Sequence, residues 1–320
     1  LAALLAAAPG LRVAIIGDAM LDVYLRGDAE RISPEAPVPV VRVRERRDAL
    51  GGAANVAQNV AALGAAADLV AAVGADAAGA HLRAALSALG APAQSLVPVA
   101  RPTTTKTRIV ARAQQLLRFD EEEDADLAGH EAAALLAAAL HAVDNAHAVV
   151  FEDYNKGVLT PDLIAAVTAR ANARGIPIVV DPKYRHFFAY QGATVFKPNR
   201  RELESALGAT IDLEHDDGLA QAFARLGCQH LLLTLGERGM SLLSATGDTL
   251  RIPTTAREVY DVVGAGDTVT AYLAVMLAAG ATAPEAAIIA NFAAGVEVGK
   301  LGAAVVTATE VFEAYENHGQ

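Results

Sequence analysis

Six short apolar runs, each stopping at a polar or glycine-containing cluster, constrain this chain more than any other feature. R-V-A-I-I-G-D at 12–18 is the first, and the runs at 69–73, 146–151, 176–181, 194–196 and 230–234 follow it. A continuous apolar run suits a strand covered on both faces, which is the condition of a parallel sheet with helices above and below. Alanine-rich segments with helical spacing lie between the runs, so the expected fold class is α/β, a central mostly parallel sheet flanked by helices. Ligands of such sheets gather at the carboxyl ends of the strands. That rule singles out Asp18 and Asp22, Asp153 and Lys156, and Asp181 and Lys183, each at or just past the end of a run. The two lysines can hold anionic oxygens as point charges.

Two segments break the pattern. P-E-A-P-V-P-V-V-R-V-R-E-R-R at 34–47 and T-T-T-K-T-R-I-V-A-R-A-Q-Q-L-L-R-F at 103–119 alternate apolar and polar residues. Period two with an apolar face marks half-exposed strands. The two are expected to pair as a small antiparallel sheet, a lid formed by about 34–48 and 103–119 on a single domain spanning 1–320. Its basic residues (Arg42, Arg44, Arg108, Arg112 and Arg118) stand out in an acidic chain. Such a lid could close over a ligand or bury its apolar face against a second copy.

The chemistry-bearing stretch is D-V-V-G-A-G-D at 261–267, directly before an apolar helical run. Glycines at a helix start present unpaired N–H groups and the positive dipole end to an anion, here through Gly264, Ala265 and Gly266. A carboxylate beside such a cradle, Asp267, suits a base that takes a hydroxyl proton during phosphoryl transfer; equally, Asp267 could be an N-cap. Gly51 and Gly52 precede a helix carrying Asn55 in its first turn, a sugar-hydroxyl site or a packed turn. Asn199 and Glu202 share a helical face and could order the waters of Mg²⁺, or form a capping box. Thr234 with the turn containing Gly236 and Gly239 could contact phosphate or ribose, or make a hairpin. Asn291 could read a base edge or satisfy a buried backbone group.

Twenty-six Lys and Arg against 37 Asp and Glu, and a pI near 5.2, argue against a nucleic-acid or membrane-surface binder. The one cysteine, Cys228, excludes a disulfide framework and fits a reducing, cytoplasmic setting. G-D-A-M-L-D after the first run lacks the G-x-G-x-x-G of a dinucleotide fold. D-E-E-E-D at 120–124 is read as a solvated acidic junction rather than a metal site.

Taken together, G-D-x-x-x-D at 17–22, G-G-A-A-N at 51–55, K-P-N-R-R-E at 197–202, T-L-G-E-R-G at 234–239 and D-V-V-G-A-G-D resemble, in order, the ribokinase (PfkB) family of carbohydrate kinases. The resemblance implies a ribokinase-like fold with a small β lid, ATP and Mg²⁺, Asp267 as general base, and Gly264, Ala265 and Gly266 as anion hole. It also implies Asn199 and Glu202 at Mg²⁺, and Thr234, Gly236, Gly239 and Asn291 along the ATP site. Members often use a monovalent cation such as K⁺, to which Asp261 could contribute. R-I-S-P-E-A-P-V-P-V-V, T-K-T-R-I-V-A-R-A-Q-Q-L-L-R-F-D, D-Y-N-K-G and V-D-P-K resemble, more narrowly, the members that phosphorylate the anomeric oxygen of D-glycero-D-manno-heptose 7-phosphate on the way to ADP-heptose of lipopolysaccharide. On that resemblance Asp22, Gly51, Gly52 and Asn55 would hold the sugar. Asp153, Lys156, Asp181, Lys183, Arg112 and Arg118 would also serve the substrate, and the excess of Arg on the lid suits an acceptor that already bears a phosphate. The chain is then expected to be a single-function kinase and a homodimer through the lid. The rivals are a kinase for another sugar and a non-catalytic nucleotide-binding regulator.

Overall fold

A computed structural model describes residues 1–91, 95–112, 114–211, 223–256, 259–300, 302 and 304–318. Its strands are β1 (Arg12–Gly17), β2 (Ala19–Ile32), β3 (Pro39–Gly52), β4 (Ala66–Gly74), β5 (Leu96–Val99), β6 (Thr105–Ala111), β7 (Gln114–Glu121), β8 (Ala148–Glu152), β9 (Ile178–Asp181), β10 (Val195–Phe196), β11 (His230–Thr234), β12 (Met240–Ser244) and β13 (Thr249–Ile252). The helices are α1 (Ala2–Ala7), α2 (Ala53–Ala62), α3 (Ala77–Ala88), α4 (Gly129–Asn145), α5 (Pro161–Ala173), α6 (Arg200–Leu207), α7 (Ala265–Ala278), α8 (Ala283–Glu297) and α9 (Ala308–Glu316).

Nine strands form the main sheet in the order β13-β12-β11-β10-β9-β8-β1-β4-β5. The pairings from β5 through β11 are parallel, and β12 and β13 add an antiparallel edge. Each of the six apolar runs supplies one of the parallel strands. Because side chains alternate across a strand, one run feeds two cores. Val13 and Ile15 join the layer holding α2, α7 and α8, while Ala14 and Ile16 join the layer holding α4 and α5. Val150 and Phe151 divide in the same way. All six of these residues are fully buried, and each large aliphatic or aromatic one contributes on the order of 1.5–3 kcal/mol.

The lid is a four-stranded sheet in the order β3-β2-β6-β7. The two segments expected to pair directly do not: β2 lies between them, antiparallel to β3 and parallel to β6, and the 103–119 segment supplies the β6–β7 hairpin. Only Asp18 separates β1 from β2, so no turn residues announce the second strand. The alternation of Leu21, Val23 and Leu25 with Asp22, Tyr24 and Arg26 is its sequence mark. One face of the lid leaves Val43, Leu117 and Phe119 48%, 54% and 43% exposed.

The buried β8 aromatic gives a direct test of this layering. Phe151→Ala, beside Tyr190 at 5.5 Å between ring centroids, should lose about 3–5 kcal/mol in a urea melt. Tyr184→Ala, on a side chain 68% exposed, should change stability by no more than about 0.5 kcal/mol. Equal losses would contradict the assignment of Phe151 to the core.

Candidate active site

The start of α7 fixes the centre of the site. Gly264 is its N-cap with φ 96°, a left-handed conformation that turns the chain into the helix. First-turn N–H groups, here those of Ala265, Gly266 and Asp267, precede any intrahelical acceptor. Asp267 is the third residue of the helix, not its cap, and is 5% exposed. Its Oδ2 accepts from Asn55 Nδ2 at 2.8 Å and its Oδ1 from Tyr154 Oη at 2.9 Å. Asn55 is carried there by the first turn of α2, which begins at Gly52 with φ 57°. A Cβ on Gly52 would stand 2.4 Å from the Asp18 carbonyl oxygen, so only glycine lets the two backbones approach this closely. Burial above all, with help from Asp181, pushes the Asp267 carboxyl up to about 6, against the bonds from Asn55 and Tyr154 and the charge of Lys197.

Tyr154 is positioned by two buried carboxylates. Asp18 accepts from the N–H groups of Tyr154 (2.8 Å), Lys156 (3.0 Å) and Val158 (3.3 Å), folding the loop after β8 over the sheet end. Asp153 accepts from Tyr190 Oη and from the Asn155 N–H, both at 2.7 Å. Burial, and then Asp153, raise Asp18 to about 6. The ammonium groups of Lys106 and Lys183 each lie 5.2 Å from the Tyr154 ring centroid.

Beneath Asp267 lies a charge cluster. Carboxylate oxygens of Glu152, Asp181 and Asp267 fall within 4.8 Å of one another. Lys197, 3% exposed, donates to Asp181 Oδ2 at 2.7 Å. Glu152 is fully buried and neither carboxylate oxygen has a partner among the described residues. Burial and then the nearby Asp181 and Asp267 raise its pKa well above the ordinary carboxylate range, favouring the neutral acid. A Cβ on Gly266 would stand 3.6 Å from Lys197 Nζ and 3.7 Å from Asp181 Oδ2, so the helix start meets this cluster directly.

Gly266 also lines a cavity of about 540 Å³. Asn199, Thr234, Gly236, Gly239, Ala265 and Asn291 line it too, so the residues expected along a nucleotide converge on one side of α7. The β11–β12 connection is at once the hairpin and part of this wall. Asn291 donates from Nδ2 to the carbonyl of the exposed Pro253 at 2.9 Å, so its amide is tied to the backbone after β13. Asn199 and Glu202 form a capping box, with the Asn199 side chain accepting from the Glu202 N–H (2.8 Å) and Glu202 from the Asn199 N–H (2.9 Å). The free oxygen of Glu202 takes an ion pair from Lys183.

On the opposite side, Asp22 reaches over Gly51, where a Cβ would lie 2.5 Å from Asp22 Oδ2, and takes Arg108 at 2.5 Å. Lys156 pairs with Glu122 at 2.7 Å, which ties the acidic 120–124 junction to the β8 loop. Arg112 is exposed at the hairpin tip with φ 55°, and Arg118 is half exposed and paired with Asp120 at 3.0 Å. Tyr154, Glu152 and Lys197 were not anticipated as site residues. The strand-end rule that selects Asp153 and Asp181 applies equally to Glu152, the last residue of β8, and to Lys197, the residue after β10.

Residues 11–310 match the pfkB family carbohydrate kinases. The chain is 46% identical over 309 residues to the bifunctional protein HldE of Shewanella amazonensis, covering 96% of this chain and 64% of that protein. It is 44% identical over 320 residues to the protein of the same name from Rhodospirillum rubrum, covering 98% and 64%. The chain thus spans a little under two thirds of the length of these relatives. Among solved structures, Arabidopsis thaliana ribokinase complexed with ribose and ATP superposes with a TM-score of 0.74 at 21% identity, covering 95% of this chain and 98% of that one. Escherichia coli phosphofructokinase-2 in complex with potassium gives 0.78 at 20%, covering 97% and 100%. At those identities the likeness is one of fold, a ribokinase-like α/β architecture with a β lid. With the family matched over nearly the whole chain and its glycine-aspartate helix start beside a nucleotide-sized cavity, the protein belongs to the pfkB family of carbohydrate kinases, phosphotransferases with an alcohol acceptor.

Proposed function

We propose that this kinase transfers the γ-phosphoryl group of ATP to the anomeric O1 of D-glycero-D-manno-heptose 7-phosphate, giving the 1,7-bisphosphate for ADP-heptose synthesis in the cytoplasm. The observation that carries it is the placement of Asp267 between the cavity lined by Gly266 and Asn291 and the acceptor side bounded by Gly51, Asp22 and Tyr154. The long stretches resembling heptose 7-phosphate kinases, together with the HldE relatives, support the choice of acceptor.

Asp267 takes the proton of the acceptor hydroxyl as O1 forms its bond to the γ-phosphorus; the bond from that phosphorus to the bridging oxygen breaks and ADP leaves. Asn55 and Tyr154 aim the carboxylate and favour its charged form until the acceptor arrives. The N–H groups at the start of α7 absorb charge on the transferring oxygens. Lys197 offsets the negative charge of Asp181 behind them. Thr234, Gly236, Gly239 and Asn291 bound the nucleotide, and Asp22, Gly51 and Gly52 bound the sugar.

The donor set of Asn199 and Glu202, hard oxygens at a helix start with the capping pair already formed, fits a Mg²⁺ held through water rather than directly. When bound, Mg²⁺ neutralises phosphate charge. Glu297 supports a monovalent cation beside the α7 loop: it is a fully buried carboxyl with no side-chain hydrogen-bond partner among the described residues, and Asp261 adds its negative charge nearby. The lid face bearing Val43, Leu117 and Phe119 supports a homodimer joined lid to lid.

An acceptor panel of heptose 7-phosphate, fructose 6-phosphate, ribose and no sugar should show ADP release confined to heptose 7-phosphate; turnover of another acceptor would replace the substrate and leave the family chemistry in place. The working form of Asp267 is the carboxylate, raised to about 6, so kcat/KM should fall about tenfold per unit below pH 6 and be flat above it. Tyr154→Phe removes a bond that favours the carboxylate, so its acid limb should move to higher pH. An unmoved limb, or a wild-type limb near the ordinary value of about 4, would contradict Asp267 as the titrating base. Potassium should raise the Tm of the wild type and not of Glu297→Gln. Light scattering should give twice the chain mass, and a monomer across the working concentrations would remove the dimer.

A further inference from the structure

The cations around the acceptor side are almost all committed. Arg108 is held by Asp22, Lys156 by Glu122 and Lys183 by Glu202. Lys106 is different. It lies on β6, half-buried, in register with Asp22 of β2 on the same face of the lid, and its contact among the described residues is the Tyr154 ring. Burial disfavours its charge, Lys156 repels it, and Asp22, Glu122 and Asp120 act on it through their charge without a hydrogen bond. A half-buried ammonium group without a carboxylate partner is costly unless a ligand supplies the anion.

Its position suits one end of a particular ligand. Lys106 Nζ stands 5.2 Å from the Tyr154 ring centroid, and Tyr154 Oη stands 2.9 Å from Asp267. Across the length of the phenol, this sets an upper limit of about 11 Å between the ammonium group and the carboxylate. A sugar with its reacting hydroxyl at Asp267 and a phosphate on the far end of its carbon chain fits within that reach. Asp22, beside Lys106, would take a hydroxyl between them.

We propose that Lys106 anchors the phosphate already carried by the acceptor, and so makes the enzyme selective for a terminally phosphorylated sugar over the free sugar. The inference rests on the acceptor class in the proposed function and extends it to a residue. Phosphate binding takes its charge-assisted hydrogen bonds from the ammonium group, and the lid brings that group to the substrate as part of closing. The arginines at the hairpin tip and outer strand, Arg112 and Arg118, are not needed for this contact.

The test compares wild type, Lys106→Met and Lys106→Arg on heptose 7-phosphate, fructose 6-phosphate and dephosphorylated heptose, with ATP binding by calorimetry as the check on folding. Lys106→Met should raise KM for the phosphorylated acceptor about 10- to 100-fold, with most of the loss in KM rather than kcat. Lys106→Arg should recover part of it, and KM for dephosphorylated heptose should rise far less than KM for heptose 7-phosphate. If fructose 6-phosphate is the better acceptor and its KM shows this rise, Lys106 stands and the heptose assignment falls. If heptose 7-phosphate is used with an unchanged KM in Lys106→Met, or if KM rises equally for the dephosphorylated sugar, the Lys106 inference falls and the heptose assignment stands. If the wild type prefers a sugar without phosphate, both fall.

Discussion

A buried carboxylate at the start of a helix is the constraint around which this protein is arranged. Asp267 is almost out of contact with water, close to two other carboxyl groups, and must nonetheless be charged to act as the base proposed above. Two hydrogen bonds make that tolerable, from Asn55 at the start of α2 and from Tyr154 in the loop after β8. Each donor comes from a different part of the chain, so the carboxylate is held in this way only when the sheet, the α2 turn and the β8 loop are all in place. The same competition between desolvation and hydrogen bonding leaves its pKa at about 6, near enough to neutrality for a base that must both accept and release a proton.

The supporting groups follow from this demand. Asp18 spends both oxygens on the backbone of the Tyr154 loop, and its own carbonyl receives the Ala53 N–H at 3.0 Å, joining that loop to the start of α2. Gly52 is required because any side chain there would strike the Asp18 carbonyl. Gly266 is under less constraint: a Cβ there would meet Lys197 Nζ and Asp181 Oδ2 only in ordinary van der Waals contact, at 3.6 and 3.7 Å. Glu152 is the residue with the least local compensation. Its carboxyl, unpartnered among the described residues, is pushed toward the neutral acid first by burial and then by Asp181 and Asp267, which limits the negative charge crowded under Asp267.

Much of this was legible in the sequence because the informative features are local. Buried strands announce themselves as continuous apolar runs, and their ends name Asp153, Asp181 and Lys183 without knowledge of the fold. The D-V-V-G-A-G-D helix start is likewise a local pattern. What was hidden depends on juxtaposition. Asn55 was read as a sugar contact or part of a packed turn, and its hydrogen bond across 212 residues to Asp267 has no local signature. Tyr154 was not singled out because nothing in D-Y-N-K-G tells where its hydroxyl will point. The lid strand β2 was missed because it follows β1 after a single residue, with no turn signal between them. Alternatives left open for Asn199, Glu202 and Thr234 turn out to be compatible: the capping box and the hairpin exist, and the same residues border or adjoin the cavity.

The most direct test of the central claim is single-turnover phosphoryl transfer from ATP to heptose 7-phosphate by wild type and Asp267→Asn, with ATP affinity measured in parallel. The account predicts that the substitution lowers the transfer rate by a factor on the order of 10²–10⁴ while ATP binds with similar affinity, since Asp267 faces the acceptor and the cavity walls are untouched. Transfer by Asp267→Asn at close to the wild-type rate would contradict it, and would require the proton to leave by another route.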